Sequence, residues 1–256
     1  MYYSSRSLRL PALIIFPWFL ALSDASAGSG DSVPPEHTVA KLTPPAVIVI
    51  GFVGGFVHHN DSVHQEVQLA NHLSQDYPSG VEVKIFENHA GRQAYHEISR
   101  FLDSDHDGTL SAEEKRKARI VLYGHSWGAS EAVTLARSLQ KNSVDVLLTI
   151  QVDSVSKIGT DDKFIPANVA QAVNFYQIDG LLHGQRQIVA ADPTHTQILG
   201  NFQLDYKTNH VNCDGYPWFA RTFMRPHIEI ESDPRVWNQV ESLIRSKLPS
   251  VTMSSR

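Results

Sequence analysis

The sequence predicts an α/β protein, a mostly parallel central sheet with helices on both faces. Two observations carry this. Short β-branched apolar runs alternate with amphipathic stretches of helical period. Glycine-rich segments then follow the ends of those runs, GFVGGF after AVIVI and GHSWG after RIVLY. Ligands of such sheets bind at the carboxyl ends of the strands, which is where these segments fall.

Taken in order, 46–50 (AVIVI) reads as a buried parallel strand bounded by Pro45 and Gly51, with 51–56 as a loop. Residues 62–75 carry Val63, Val67, Leu69, Ala70 and Leu73 at helical spacing. A turn at 78–80 leads to a strand at 81–86 (VEVKIF), and 91–102 forms a second helix with Tyr95, Ile98, Phe101 and Leu102 on its stripe. An acidic loop and a short helix at 112–118 precede a strand over 120–124. An Ala-rich helix follows to about 139, then a strand at 144–152. A polar loop spans 157–168, a strand lies within 169–177, and 185–204 holds one or two short strands, including 198–204. Residues 206–225 read as loop, with an aromatic cluster of Tyr216, Trp218 and Phe219. The last helix is expected over 233–248, with Asp233 as N-cap and Pro234 at the first helical position.

The first 27 residues have the pattern of a secretory signal: Arg6 and Arg9, an apolar run LPALIIFPWFLAL, and Ala25-Ser26-Ala27 as cleavage site. The apolar run is short for a membrane span and contains Pro11 and Pro17, so an exported protein with no stable membrane anchor is expected. Residues 28–45 read as a flexible leader with a possible short strand near 38–42, and 46–250 as a single domain. The formal net charge is −5, which points away from nucleic acid. Cys213 is the only cysteine, so no intrachain disulfide can form.

Gly124-His125-Ser126-Trp127-Gly128 sits between the strand at 120–124 and the Ala-rich helix. Strand, sharp turn, helix is the context a G-x-S-x-G nucleophile elbow requires, with Ser126 exposed at its tip. This arrangement resembles the α/β-hydrolase superfamily, in particular its small lipase- and esterase-like members. The resemblance covers most of the chain in element order, and GHSWG is its one specific motif. It implies a nucleophile, acid, base order along the chain, with Ser126 as nucleophile and His227 as general base on a loop before the final helix, preferred to His195 and His210. It offers two acids at strand ends, Asp153 and, as alternative, Asp179. It places the oxyanion donors on the backbone of Trp127 and of Phe52, where Ile50 stands in place of the superfamily's frequent His before Gly51.

Residues 103–114, DSDHDGTLSAEE, match the EF-hand calcium loop position by position. Asp103, Asp105 and Asp107 fall at positions 1, 3 and 5, Gly108 at 6, Thr109 at 7, Ser111 at 9 and Glu114 at 12. No second loop of this kind is present, so a structural calcium ion is expected rather than a paired sensor module. A further group, His58, His59, Asn60 and Asp61 with His64, lacks a recognised zinc spacing and reads as a polar loop near the active edge.

The expectation is therefore a secreted serine hydrolase acting on a small-molecule or lipid ester, with calcium and no organic cofactor. The alternatives are an amidase or peptidase with the same chemistry, or a non-catalytic calcium-binding module on the same fold.

Overall fold

The structure, a computed structural model, describes residues 46–250. The expected signal at 1–27 and leader at 28–45, including the possible strand near 38–42, lie outside the described residues.

The central sheet has six strands, all paired in parallel. In chain order these are β1 (Val47–Phe52), β2 (Val81–Phe86), β3 (Ile120–His125), β4 (Val146–Val152), β6 (Val169–Gln177) and β8 (Gln197–Leu204). Across the sheet they run β2-β1-β3-β4-β6-β8. The helices are α1 (Gln65–Asp76), α2 (Gly91–Leu102), α3 (Ala112–Arg116), α4 (Trp127–Lys141), α5 (Trp218–Phe223), α6 (Arg225–Ser232) and α7 (Pro234–Arg245). The α/β architecture expected from the sequence is the one observed.

Alternate residues of each strand feed two separate cores. Ile48, Ile50, Phe52, Ile120 and Leu122 pack against Ala94 and Ile98 of α2 and Ala132, Val133, Ala136 and Leu139 of α4. Val47, Val49, Val121, Tyr123, Ile150 and Phe175 pack against Leu69 and Leu73 of α1 and Val236, Trp237, Val240 and Ile244 of α7. A fully buried Leu, Ile or Val contributes about 1.5–3 kcal/mol, so these two faces hold the central strands rigid beneath the loops at their carboxyl ends.

Four local features differ from the sequence expectation. β1 continues through Gly51 and Phe52, because Gly51 has no side chain: a Cβ there would lie 2.5 Å from Tyr123 Cζ. The polar loop at 157–168 contains the short β5 (Phe164–Ile165), which pairs in parallel with β7 (Val189–Ala190) in a separate two-stranded sheet. The stretch expected to be loop at 206–225 contains α5, whose Trp218, Phe219 and Phe223 are exposed. Finally, 225–232 is helical and abuts α7, with Asp233 closing α6 and capping α7 through its side chain to Arg235 N.

Candidate active site

The turn from β3 into α4 is shaped by its two glycines. A Cβ on Gly124 would lie 2.6 Å from the Gly128 carbonyl carbon, and one on Gly128 would lie 2.3 Å from Phe52 O. Both obstacles are backbone, so only glycine permits this approach of helix to strand. Ser126 sits between them at φ 55° and ψ −125°, a region costly to a residue with a side chain. Ser126 N donates to Val152 O at 3.0 Å, and its carbonyl accepts from Ala129, Ser130 and Val155 N, which over-determines the strained conformation. Trp127 is the first residue of α4, so its N–H has no acceptor within the helix.

Ser126 Oγ lies 2.9 Å from His227 Nε2, and His227 Nδ1 lies 2.7 Å from Asp153 Oδ2. The structure thus brings together three residues 27 and 74 positions apart along the chain or more, from the ends of β3 and β4 and from α6. Asp153 is fully buried at the tip of β4, with φ 43°. Its carboxylate also accepts from Gly184 N at 2.7 Å and from Gln177 Nε2 at 2.8 Å. Burial alone would push this carboxyl up, but the bonds from His227, Gln177 and Gly184 outweigh it and hold it below the ordinary carboxylate range. Such a carboxylate fixes the ring's Nδ1–H tautomer and leaves Nε2 free to accept the serine proton.

Asp179 does not join this chain of hydrogen bonds. Its Oδ2 accepts Tyr206 N at 2.7 Å and its Oδ1 lies 3.7 Å from Lys207 Nζ, so it anchors the segment after β8. Of the competing histidines, His195 pairs with Asp192 on an exposed turn and His210 with the buried Glu229. His227 itself lies inside α6 rather than on a loop.

Phe52 is corrected as an oxyanion donor. Its side chain is fully buried, and it is in register with Gly124 as the last residue of β1. Ile48 N donates to Arg119 O, and the period of two along the strand turns Phe52 N–H to the same side, toward β3. The loop backbone that borders the serine belongs to Gly54, whose Cβ position would lie 3.6 Å from Ser126 Cβ, and to Gly55, which packs against the Trp127 ring.

Ser126, Trp127 and His227 open onto a cavity of roughly 500 Å³. Its lining is mainly apolar and includes Phe56, Val63, Val155, Leu182, Tyr216 and Phe219. Phe56 is almost fully exposed at φ 61°, its ring 5.5 Å from that of Trp127. Phe56, Trp127, Tyr216 and Phe219 thus line the cavity, whereas Phe52 belongs to the core.

No protein-family model matches the chain, and no curated protein matches it significantly. Among solved structures, it is similar to an iodinated complex of acetyl xylan esterase, with a TM-score of 0.39 and 13% identity over 81% of this chain and 100% of the other. A second acetylxylan esterase structure matches with a TM-score of 0.38 at 13% identity, with the same coverage.

The acidic loop lies between α2 and α3. Gly108 takes φ 83°, in the left-handed region open to glycine, and Leu110 packs against the core on the α2–α4 side. Carboxylate oxygens of Asp103, Asp105 and Glu114 lie within 4.8 Å of one another. Asp107 turns its Oδ1 to Thr109 N and Oγ1, and Ser111 forms a capping box with Glu114 at the start of α3. Hydrogen bonds from Ser104 and Ser111 hold the Glu114 carboxyl down at about 2. Three of the six expected donors thus converge in an oxygen-only set that suits a hard cation.

Two groups that secure the site carried little sequence signal. Gln177 and Gly184 hold Asp153 from β6 and the loop beyond it, and only the proximity of strand ends makes them neighbours. A glycine in a loop at 184 is the one local hint, since a Cβ there would overlap the Asp153 backbone.

Proposed function

We propose that the protein is an exported serine hydrolase that cleaves acyl esters through an acyl-enzyme. The observation that carries this reading is the unbroken relay from Ser126 Oγ through His227 to Asp153, built on a strained strand-to-helix turn and opening into a cavity. Ser126 Oγ attacks the acyl carbon while His227 Nε2 takes its proton, and Asp153 stabilises the resulting imidazolium. The same Nε2–H then protonates the leaving alkoxide, and water, deprotonated by His227, resolves the acyl-enzyme. The oxyanion is held by Trp127 N–H, reinforced by the α4 N-terminus, and by a second N–H from the glycine-rich loop after β1. The apolar lining around Phe56, Tyr216 and Phe219 favours an ester with an apolar acyl group of modest length. The superfamily resemblance of the GHSWG motif supports the same class, and secretion is part of the proposal through the signal pattern at 1–27.

The test is hydrolysis of a p-nitrophenyl ester series by the mature chain and its Ser126→Ala variant, together with fluorophosphonate labelling. Turnover and labelling should both vanish in the variant while the melting curve stays two-state. Turnover that persists at an unchanged rate in folded Ser126→Ala would remove Ser126 from the reaction.

The proposal includes one calcium ion in the acidic loop, held by Asp103, Asp105 and Glu114, with Asp107, the Thr109 carbonyl and Ser111 completing the set. There it would neutralise the clustered carboxylates and brace the short α3 connection into β3. Melting in calcium against chelator should show a higher Tm with calcium, and Glu114→Gln should abolish the difference. Equal Tm values for the parent protein would count against the ion.

A further inference from the structure

Beneath the same cavity lies a second constellation, apart from the Ser126–His227–Asp153 relay. Four titratable side chains meet there from three distant segments: His64, the N-cap of α1; Glu66 in its first turn; His125 at the end of β3; and Glu231 in α6. None is more than 9% exposed, and Glu66 is fully buried. One ligand atom from each of His64, Glu66 and Glu231 lies within 4.8 Å of the others. His64 Nδ1 is hydrogen-bonded to Glu231 Oε1. His125 Nδ1 lies 3.3 Å from Glu231 Oε2 and 3.8 Å from Glu66 Oε1.

The hydrogen bonding of this group does not close. Among the described residues, no lysine, arginine or hydroxyl donates to either carboxylate oxygen of Glu66, whose buried neighbour is the Glu231 carboxyl, and Nδ1 of His125 is buried without a partner. Native proteins leave few such atoms, and each buried orphan costs about 1–3 kcal/mol, more when charged. His125 Nε2 lies 3.2 Å from the His227 carbonyl oxygen. That oxygen can only accept, so Nε2 carries the hydrogen and the neutral ring points its Nδ1 lone pair at two carboxylates. Among the described residues no lysine or arginine pairs with either Glu66 or Glu231, and Asp61, 3.8 Å from His64 Nε2, adds further negative charge.

We propose that His64, Glu66, His125 and Glu231 form a four-ligand site for a divalent transition-metal ion of the zinc type. Ligand bonds of about 2.0–2.2 Å in a tetrahedron separate the ligand atoms by roughly 3.3–3.6 Å. His125 Nδ1 lies 3.3 Å from Glu231 and 3.8 Å from Glu66, and the other three ligand atoms lie within 4.8 Å of one another, so small side-chain rotations close the set around an ion. Mixed imidazole and carboxylate donors select zinc and its neighbours, whereas the oxygen-only acidic loop selects calcium. The bond from His125 Nε2–H to a backbone carbonyl is the outer contact by which metal-bound histidines are oriented. His64 and Glu231 also border the cavity, which gives the ion an entry path. Two carboxylates with two neutral imidazoles balance a dication. The ion would also tie α6 to the nucleophile turn, since Glu231 lies one helical turn beyond His227 and His125 directly precedes Ser126.

The test is titration of the tag-free, chelator-treated mature chain with Co²⁺, whose intense visible absorption reports four-coordinate geometry. One equivalent should produce the tetrahedral spectrum, and Zn²⁺ should displace it. Glu66→Gln and Glu231→Gln should each weaken binding by roughly 100-fold or more, whereas Glu114→Gln in the acidic loop should leave the spectrum intact. Near-UV circular dichroism confirms that each variant is folded; should one fail to fold, His64→Asn replaces it. A parent protein that gives only the weak six-coordinate spectrum, or none, overturns the site and leaves a proton shared between Glu66 and Glu231. A folded Glu66→Gln that binds cobalt as tightly as the parent overturns it equally.

Discussion

The position of Asp153 depends on Gly184, and Gly184→Ala isolates that dependence. A Cβ at 184 would lie 2.2 Å from the Asp153 carbonyl carbon and 2.5 Å from Ser154 N, where ordinary contact begins at 3.4 Å. These atoms are backbone at the tip of β4 and cannot swing aside, so the loop must retreat by about an ångström. The Gly184 N to Asp153 Oδ1 bond, 2.7 Å long, would then exceed hydrogen-bond length. Losing a donor to a buried carboxylate costs about 1.5–3 kcal/mol, and residual overlap adds to it, for a total of roughly 3 kcal/mol. Catalysis should suffer as well, because a misplacement of about 1 Å in a supporting group lowers rate on the order of 100-fold. The assay is kcat/KM for a p-nitrophenyl ester, paired with urea denaturation. A Gly184→Ala protein with parental kcat/KM and parental midpoint would refute the claim that the loop's close approach holds the acid in place.

Two further predictions concern stability. Asp233 caps α7 through Arg235 N at 2.8 Å and accepts the buried Tyr206 hydroxyl at 2.8 Å; Asp233→Ala should therefore cost roughly 2–4 kcal/mol, with Tyr206→Phe in the same background recovering about 1 kcal/mol, and a loss below about 1 kcal/mol on denaturation would show the cap to be idle. Because the carboxyl of Asp153 is depressed on folding despite its burial, its stabilising contribution is fully present above its unfolded value near ~3.9 and is lost as pH falls through the lower folded value. Acid denaturation of the parent should accordingly be steeper below about pH 4 than that of Asp153→Asn, and superimposable acid limbs would contradict the assignment.

Local pattern made part of this molecule legible. The runs AVIVI and RIVLYG announce buried parallel strands because their apolar character satisfies cores on both faces of the sheet, whereas VEVKIF alternates apolar and charged residues as the half-exposed edge strand it forms. The spacing of Gly124, Ser126 and Gly128 announces the turn because steric exclusion there is contained within five residues. Helix α6 escaped for the converse reason. RPHIEIES alternates apolar and charged residues, which is not a helical stripe, and its buried glutamates become tolerable only opposite His210 and Arg225, for Glu229, and His64, for Glu231. Phe52 falls in the loop by local pattern alone, because only the packed structure shows that Tyr123 fills the space a side chain at Gly51 would need, so that β1 runs on through a glycine.

The sequence by itself determined the α/β class, the order of the central strands with the helices between them, and the tight turn around Ser126. Each rests on interactions between residues close along the chain, where backbone geometry fixes what can meet. Tertiary structure alone decided that His227 and Asp153, rather than His195, His210 or Asp179, stand in line with Ser126. It also decided that Glu231 lies against His64, 167 residues earlier, leaving Glu66 and His125 with buried atoms unpaired. Such encounters depend on how strand ends and helix termini converge after two cores have packed, and no spacing along the chain encodes them.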